Sequence, residues 1–327
     1  MKSINPSIQT DSPRVVIVTL NWNGLEHLKY FLPNAQLQSY DNFSILVVDN
    51  GSTDDSVNFV RNNFQDVEVL ELGNNLGYSR GFNRGIVKSI NNGAEYLLIT
   101  NNDVLIDRNF LKEGINLYSR ERDIGYMSGK VYYISDKKRF QYAGGRNKRI
   151  HLGVIPMMRG KDEIDEGQYE EICDFEFMDD VCSLVNSDMI KKVGPYDSDF
   201  FFDYEETEWN FRIRKGGFRI VYNPKMKAWH RLHGSTGGTR YTKISERHHC
   251  RGKILFHYKT ESTTSFLKFI INFIFMRSLK RWFFLIKMKH TRLIFYNLIG
   301  TFSAIKRILI LKTADINLWN HEKNKHI

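Results

Sequence analysis

Residues 199–214 read Asp-Phe-Phe-Phe-Asp-Tyr-Glu-Glu-Thr-Glu-Trp-Asn-Phe-Arg-Ile-Arg, so three carboxylates, Glu205, Glu206 and Glu208, crowd a segment rich in aromatic surface. Neighbouring acids among Phe201, Phe202, Tyr204, Trp209, Phe211 and Ile213 repel one another and lose solvation. At least one is then expected to bind its proton more tightly than usual and to suit proton abstraction. The same pattern also fits a solvated first turn of a helix, where the helix dipole favours acids. These residues alone leave both readings open, and the rest of the chain must decide.

The elements that would position such a base are legible upstream. Val15–Leu20 is a continuous apolar run of strand type, followed by a helical pattern over 25–38; Ile45–Val48 and Val67–Leu72 repeat the strand signal, and Tyr96–Thr100 gives a fourth strand. Short apolar runs alternating with helical patterns predict repeated βα units and a mainly parallel, Rossmann-like α/β sheet with flanking helices. Polar clusters follow the strands directly: Asn21 to Asn23, Asp49 to Ser52, and Asn101 to Asp103. Ligands in such sheets bind beyond the carboxyl ends of the strands, so one crevice is expected to collect all three. Residues 130–180 suggest loops and short strands without a clear period.

Composition sets the outer limits. A chain of 327 residues with 42% hydrophobic and 13% aromatic residues can build one large α/β domain plus an appendage. Cys173, Cys182 and Cys250 lie far apart, which indicates neither a disulfide framework nor a zinc site and points to a reducing compartment. Residues 1–13 form a polar tail without the apolar stretch of a secretory signal. The net charge of +10 is concentrated: residues 262–312 hold ten Lys and Arg and no Asp or Glu, leaving 37 basic against 37 acidic residues elsewhere.

After its first strand the chain has Asn21-Trp22-Asn23-Gly24 where a dinucleotide-binding domain would have G-x-G-x-x-G, and no P-loop motif occurs. Five blocks in order instead carry a resemblance: Val16 to Gly24; Val47 to Asp54; Asn75-Leu76-Gly77-Tyr78 through Asn83-Arg84-Gly85; Thr100 to Val104; and Phe200 through Arg212 with Gly217, Phe218 and Trp229-His230. The chain resembles the family 2 glycosyltransferases of the GT-A fold, particularly the rhamnosyltransferase-like branch, over roughly residues 14–258. The resemblance implies a donor-nucleotide half over 14–130 and an acceptor half over 131–258.

The roles it implies are these. Leu20, Asn21 and Trp22 line the nucleotide pocket, Asp49 accepts a hydrogen bond from the base, Arg80 faces the diphosphate, and Asn50 and Asn83 face the donor. Asn101, Asn102 and Asp103 stand at the family's D-x-D-like motif, where Asp103, with His230, would hold a divalent cation, Mn²⁺ or Mg²⁺, against the diphosphate. Glu206 would be the general base of an inverting transfer, and Glu205 would position the acceptor or Glu206. Asp180 and Trp209 fall in the acceptor region; Asp179-Asp180 replaces a small Gly-Ala pair, which implies an altered acceptor pocket. The implied donor is a dTDP- or UDP-sugar and the implied acceptor a cell-surface polysaccharide or lipid-linked glycan.

The segment 259–327 reads as basic-aromatic amphipathic helices. Its longest uncharged run, Leu293 to Ile305, has 13 residues, short of the ~20 a spanning helix needs. The segment therefore suggests helices lying on an anionic leaflet, with the enzyme peripheral on the cytoplasmic face of the cell membrane. Packing on the catalytic domain or on a second subunit in a homodimer is the alternative, and no nucleic-acid motif accompanies the charge. Two rival functions remain: a nucleotidyltransferase attacking phosphorus at a similar site, and a non-catalytic binding module at the membrane surface.

Overall fold

A computed structural model of the chain describes residues 12–150, 153–231 and 242–313; most of the polar N-terminal tail lies outside them. The first half alternates strands and helices: β1 (Val15–Asn21), α1 (Leu25–Ala35), β2 (Phe43–Asp49), α2 (Ser56–Asn63), β3 (Val67–Glu71), α3 (Tyr78–Asn91) and β4 (Tyr96–Asn101). These four strands run parallel in the order β3-β2-β1-β4. Their cores, such as Val15 to Val18 and Leu97 to Ile99, are buried on both faces, as strands sandwiched between helices must be.

Beyond β4 the sheet continues in mixed sense. The chain passes through β5 (Val104–Ile106), α4 (Phe110–Tyr118), β6 (Ile124–Tyr133), β7 (Asp136–Tyr142), β8 (Gly145–Ile150), β9 (Gly153–Met158), β10 (Cys173–Asp174), β11 (Cys182–Asn186), α5 (Ser187–Val193), α6 (Glu205–Lys215) and β12 (Arg219–His230). Strand β11 inserts antiparallel between β4 and β6, β12 lies parallel to β6, and β5 pairs antiparallel with β12. Strands β8 and β9 form a separate hairpin. The stretch 130–180, which lacked a clear period in the sequence, is thus β-rich. Its principal strand, β6, is buried along nearly its whole length, so it shows no alternation of apolar and polar residues.

The C-terminal region is helical: α7 (Lys243–Thr260), α8 (Thr263–Asn272), a π-helical turn over Phe273–Ser278, α9 (Leu279–Lys287) and α10 (Arg292–Thr313). These helices do not form an independent appendage. Phe200 and Tyr204, just before α6, share a second hydrophobic core with Cys250, Ile254 and Phe256 of α7, Phe269 of α8 and Ala304 and Ile308 of α10. A 20-residue stretch of α10, Arg292–Leu311, is apolar and long enough to cross a membrane by length and composition. In the fold, however, Gly300 is packed against the backbone of Arg247 in α7, and Arg307 is ion-paired with Asp199, so α10 lies on the catalytic domain.

Candidate active site

The switch in strand order between β1 and β4 opens a crevice at the carboxyl ends of the strands. Register brings the polar strand ends together: Asn21 pairs with Asp49 across β1 and β2, and Leu20 with Asn101 across β1 and β4. Asn21 is the hub. Its Nδ2 donates to Asp49 Oδ1 at 3.3 Å and to Ser52 Oγ at 3.1 Å, and its Oδ1 accepts from Asn102 Nδ2 at 2.8 Å. Gly24 is required beneath this knot, since a Cβ there would lie 2.5 Å from both Asn21 Oδ1 and Asn102 Nδ2. Trp22, at the same strand end, leaves half its surface exposed and free to stack on a planar ligand.

The candidate metal pair also comes from adjacent strands. His230 ends β12 and Asp103 immediately precedes β5, so the β5–β12 ladder sets His230 Nε2 3.2 Å from Asp103 Oδ1. His230 Nδ1 lies 2.8 Å from Gln141 Oε1. Donation from Nδ1 to that oxygen turns the Nε2 lone pair toward Asp103. Asp103 Oδ1 is buried and has no hydrogen-bond partner. The two acceptors thus face each other in close approach, an arrangement that a cation between them relieves. Among the described residues no third His, Cys, Asp or Glu completes a cluster able to hold a metal.

The three glutamates separate clearly. Glu208 is bound by Arg212 through both carboxylate oxygens, at 2.6 and 2.9 Å, and Arg212 also donates to the carbonyls of Val193 and Pro195, so Glu208 is structural. Glu205 is buried, and its Oε2 has no hydrogen-bond partner. Glu206 is partly exposed. Burial, and then repulsion from neighbouring acids, raises both carboxyls well above the ordinary glutamate range; Asp180 and Asp203 act on both, Glu206 acts on Glu205, and Asp179 acts on Glu206. Asp180 is itself raised to about 7 by burial and by Asp179, although Tyr196 donates to its Oδ2 at 2.9 Å. Asn210, one helical turn beyond Glu206, donates to both the Glu206 and Met178 carbonyls and accepts from Met178 N, which ties α6 to the Asp179-Asp180 segment.

The backbone entering α6 is unusual. Asp203 and Tyr204 both have φ of +72°, two consecutive non-glycine residues in the left-handed region. Each such residue costs on the order of 1–3 kcal/mol and persists only where its surroundings over-determine it. Several contacts do so here: Tyr78 N donates to Phe201 O at 2.8 Å, Arg80 Nε to Ser198 O at 3.2 Å, and His249 Nδ1 meets Asp203 Oδ2 at 2.7 Å.

Two sequence expectations, for Trp209 and Asn50, are corrected. Trp209 does not face an acceptor: it is fully buried between Tyr126 and Tyr196, and its indole N–H donates to Gly194 O. Asn50 uses both ends of its amide on the Asn75–Gly77 loop, so it shapes that loop and is not turned to the donor. Asn83 is buried and donates to Tyr196 O, while its Oδ1 has no hydrogen-bond partner. Sequence reasoning missed Gln141, Tyr196 and Asn210. Only Asn210 had a signal, its spacing of four from Glu206, which stacks the two on one helix face.

The profile of glycosyl transferase family 2 matches residues 14–193, more than half of the chain. The chain belongs to this family. It is similar to the N-acetylglucosaminyl-diphospho-decaprenol L-rhamnosyltransferase of Mycobacterium tuberculosis, 23% identical over 251 residues that cover 71% of this chain and 80% of that protein. The dTDP-rhamnosyl transferase RfbF of Shigella flexneri is 26% identical over 224 residues, covering 66% and 68% respectively. Among solved structures, GalNAc-T7 with UDP, GalNAc and Mn²⁺ superposes with a TM-score of 0.60 at 13% identity, over 81% of this chain but only 57% of its own. The mannosyltransferase PcManGT of Pyrobaculum calidifontis, in complex with GDP-Man and Mn²⁺, gives 0.54 at 14% identity over 97% and 80%. The family 2 chain therefore has the GT-A fold and is a glycosyltransferase; the nucleotidyltransferase and binding-module readings are not favoured.

Proposed function

We propose that this family 2 enzyme transfers a sugar, with inversion, from a nucleoside diphosphate donor to a hydroxyl of a glycan or lipid-linked glycan. The observation that supports the proposal is the gathering, at the carboxyl ends of neighbouring strands, of the Asn21–Asp49 pocket and the facing Asp103–His230 pair, with a Glu206 carboxyl raised by burial and by the neighbouring acids Asp179 and Asp180. Leu20, Asn21, Trp22 and Asp49 bind the nucleoside; Asn101, Asn102 and Arg80 border the diphosphate. Glu206 takes the proton of the acceptor hydroxyl, the oxygen attacks the anomeric carbon, and the nucleoside diphosphate departs from the opposite face. Glu205, with an unpartnered buried oxygen, and Asp180 orient the acceptor.

Asp103 and His230 fit a divalent cation: one orphaned carboxylate oxygen and one bare imidazole nitrogen, the latter oriented by Gln141. Such an ion, when bound, neutralises the charge of the departing diphosphate. The names of the relatives favour a rhamnosyl donor, and that of RfbF one carried on dTDP; a UDP-sugar is the other donor proposed.

The C-terminal helices supply the proposed membrane contact, which would keep the enzyme at the cytoplasmic face where lipid-linked acceptors reside. Leu267, Ile271, Phe275, Leu279 and Phe283 are exposed on the α8–α9 stretch, and Phe295, Phe302 and Leu309 at seven-residue intervals on α10. Exposed Lys268, Lys280, Lys287, Lys289, Arg292 and Lys306 lie among them. So much exposed apolar surface mixed with cations matches an anionic leaflet.

A panel of nucleotide sugars with Mn²⁺, read by thermal shift and by nucleoside diphosphate release, tests the proposal. A dTDP- or UDP-sugar should stabilise the protein and be turned over when acceptor is added, and EDTA or Asp103→Ala should remove the dependence on cation. Binding and release unaffected by EDTA would overturn the metal assignment. Pyrophosphate release from a nucleoside triphosphate would overturn the reaction class.

A further inference from the structure

Asp199 is almost fully buried at the start of the segment that turns into α6, yet it lies outside the crevice chemistry. Its two oxygens are divided between two C-terminal helices: Arg307 Nε of α10 donates to Oδ1 at 2.6 Å, and Lys259 Nζ of α7 to Oδ2 at 2.7 Å. Lys259 also binds Asp197, and Arg251 of α7 donates to the Asp199 carbonyl. Burial alone would push this carboxyl up, but Lys259 and Arg307 hold it below its ordinary range. These are desolvated, geometrically specific contacts between residues as much as 108 positions apart, unlike exposed surface pairs.

We propose that Lys259 and Arg307 are positioning residues for the transfer reaction, fixing through Asp197 and Asp199 the strained segment that aims Glu205 and Glu206 into the crevice. The segment is gripped from two sides. The donor half holds it at Phe201 and Ser198, and the C-terminal helices hold it at Asp197, Asp199 and Asp203. Phe201 also stacks on His248 of α7, with ring centroids 4.7 Å apart. Two successive left-handed residues next to the acids mean that loosening one side lets the backbone relax toward ordinary dihedrals. The base then swings away from the acceptor while the Asn21–Asp49 pocket, anchored on β1 and β2, stays in place. A misplacement of about 1 Å can cost on the order of 10²-fold in rate.

The inference rests on the glycosyltransferase reading of Glu206, and its test separates the two. In the full chain, Arg307→Met and Asp199→Asn should each lower kcat roughly ten- to a hundredfold with the donor KM within about threefold of wild type. Arg307→Lys, which keeps the charge, should recover much of the loss. Hydrogen exchange over 197–206 should quicken in R307M and D199N while exchange in β1 and β2 is unchanged. The isosteric D199N covers the case in which R307M fails to fold. Wild-type kcat in both variants, or a donor KM that rises as much as kcat falls, would overturn the positioning role. A wild-type chain that turns over no nucleotide sugar would instead overturn the reading of the site, and faster exchange in the variants would still report that the ion pairs hold the segment.

Discussion

Glu206 and Glu208 sit two positions apart on one helix, and their surroundings give them opposite fates. Arg212 neutralises Glu208, whereas the neighbours of Glu206 that shift its titration are mostly other acids. Glu206→Gln keeps shape and hydrogen bonding but cannot take a proton, so transfer should fall by roughly 10²–10⁴ while calorimetric binding of the nucleoside diphosphate is unchanged. Burial and like charge raise the Glu206 carboxyl, so its basic form fills only as pH climbs through that raised value. The rate should therefore rise with pH along an acidic limb displaced above the usual carboxylate range. Asp180→Asn removes one of the charges that raises Glu206, and the limb in a kcat/KM–pH profile should move to lower pH; a limb that stays put would separate Asp180 from the base.

Element by element, the βα half was readable because each strand is short, apolar and closed by polar residues, and observed bounds differ from those expected by a few residues at most, as at β1 and β4. The order of motifs also singled out Asp103 and His230, remote in sequence, which the β5–β12 ladder brings within 3.2 Å of each other. What the sequence could not reveal was direction. Trp209 stands in the same motif as Glu206, but on the face of α6 that packs against Tyr196. The C-terminal cations read as one charged surface, yet Arg281 turns inward to Glu246 and Arg307 to Asp199, partners remote in sequence that no local period can indicate. The α6–α7 contact gives its own prediction. Gly252 lies inside α7, where alanine ordinarily stabilises a helix by up to about 1 kcal/mol. A Cβ at this position would lie 2.5 Å from the Asp203 carbonyl oxygen, so Gly252→Ala should instead lower Tm and activity together.

For the whole molecule, the C-terminal helices have an inner and an outer surface. Flotation with anionic vesicles should retain the protein at low salt, and raising salt should release much of it, because exposed lysines are screened and buried phenylalanines are not. Failure to float at low salt, with a dimer seen by light scattering, would assign the outer surface to a second copy. Truncation after Lys259 should cost more than membrane binding: it removes Phe269, Ala304 and Ile308 from the core shared with Phe200 and Tyr204, and circular dichroism melts should show a less stable domain. The Arg307–Asp199 pair also sets an order in time during synthesis. At 5–20 residues per second, roughly 5–20 s separate translation of Asp199 from translation of Arg307, which it follows by 108 residues. During that interval β1 to β4 can pair on the nascent chain while the acids of α6 remain loosely held, so on the proposed reading the nucleotide pocket would form before the base is fixed.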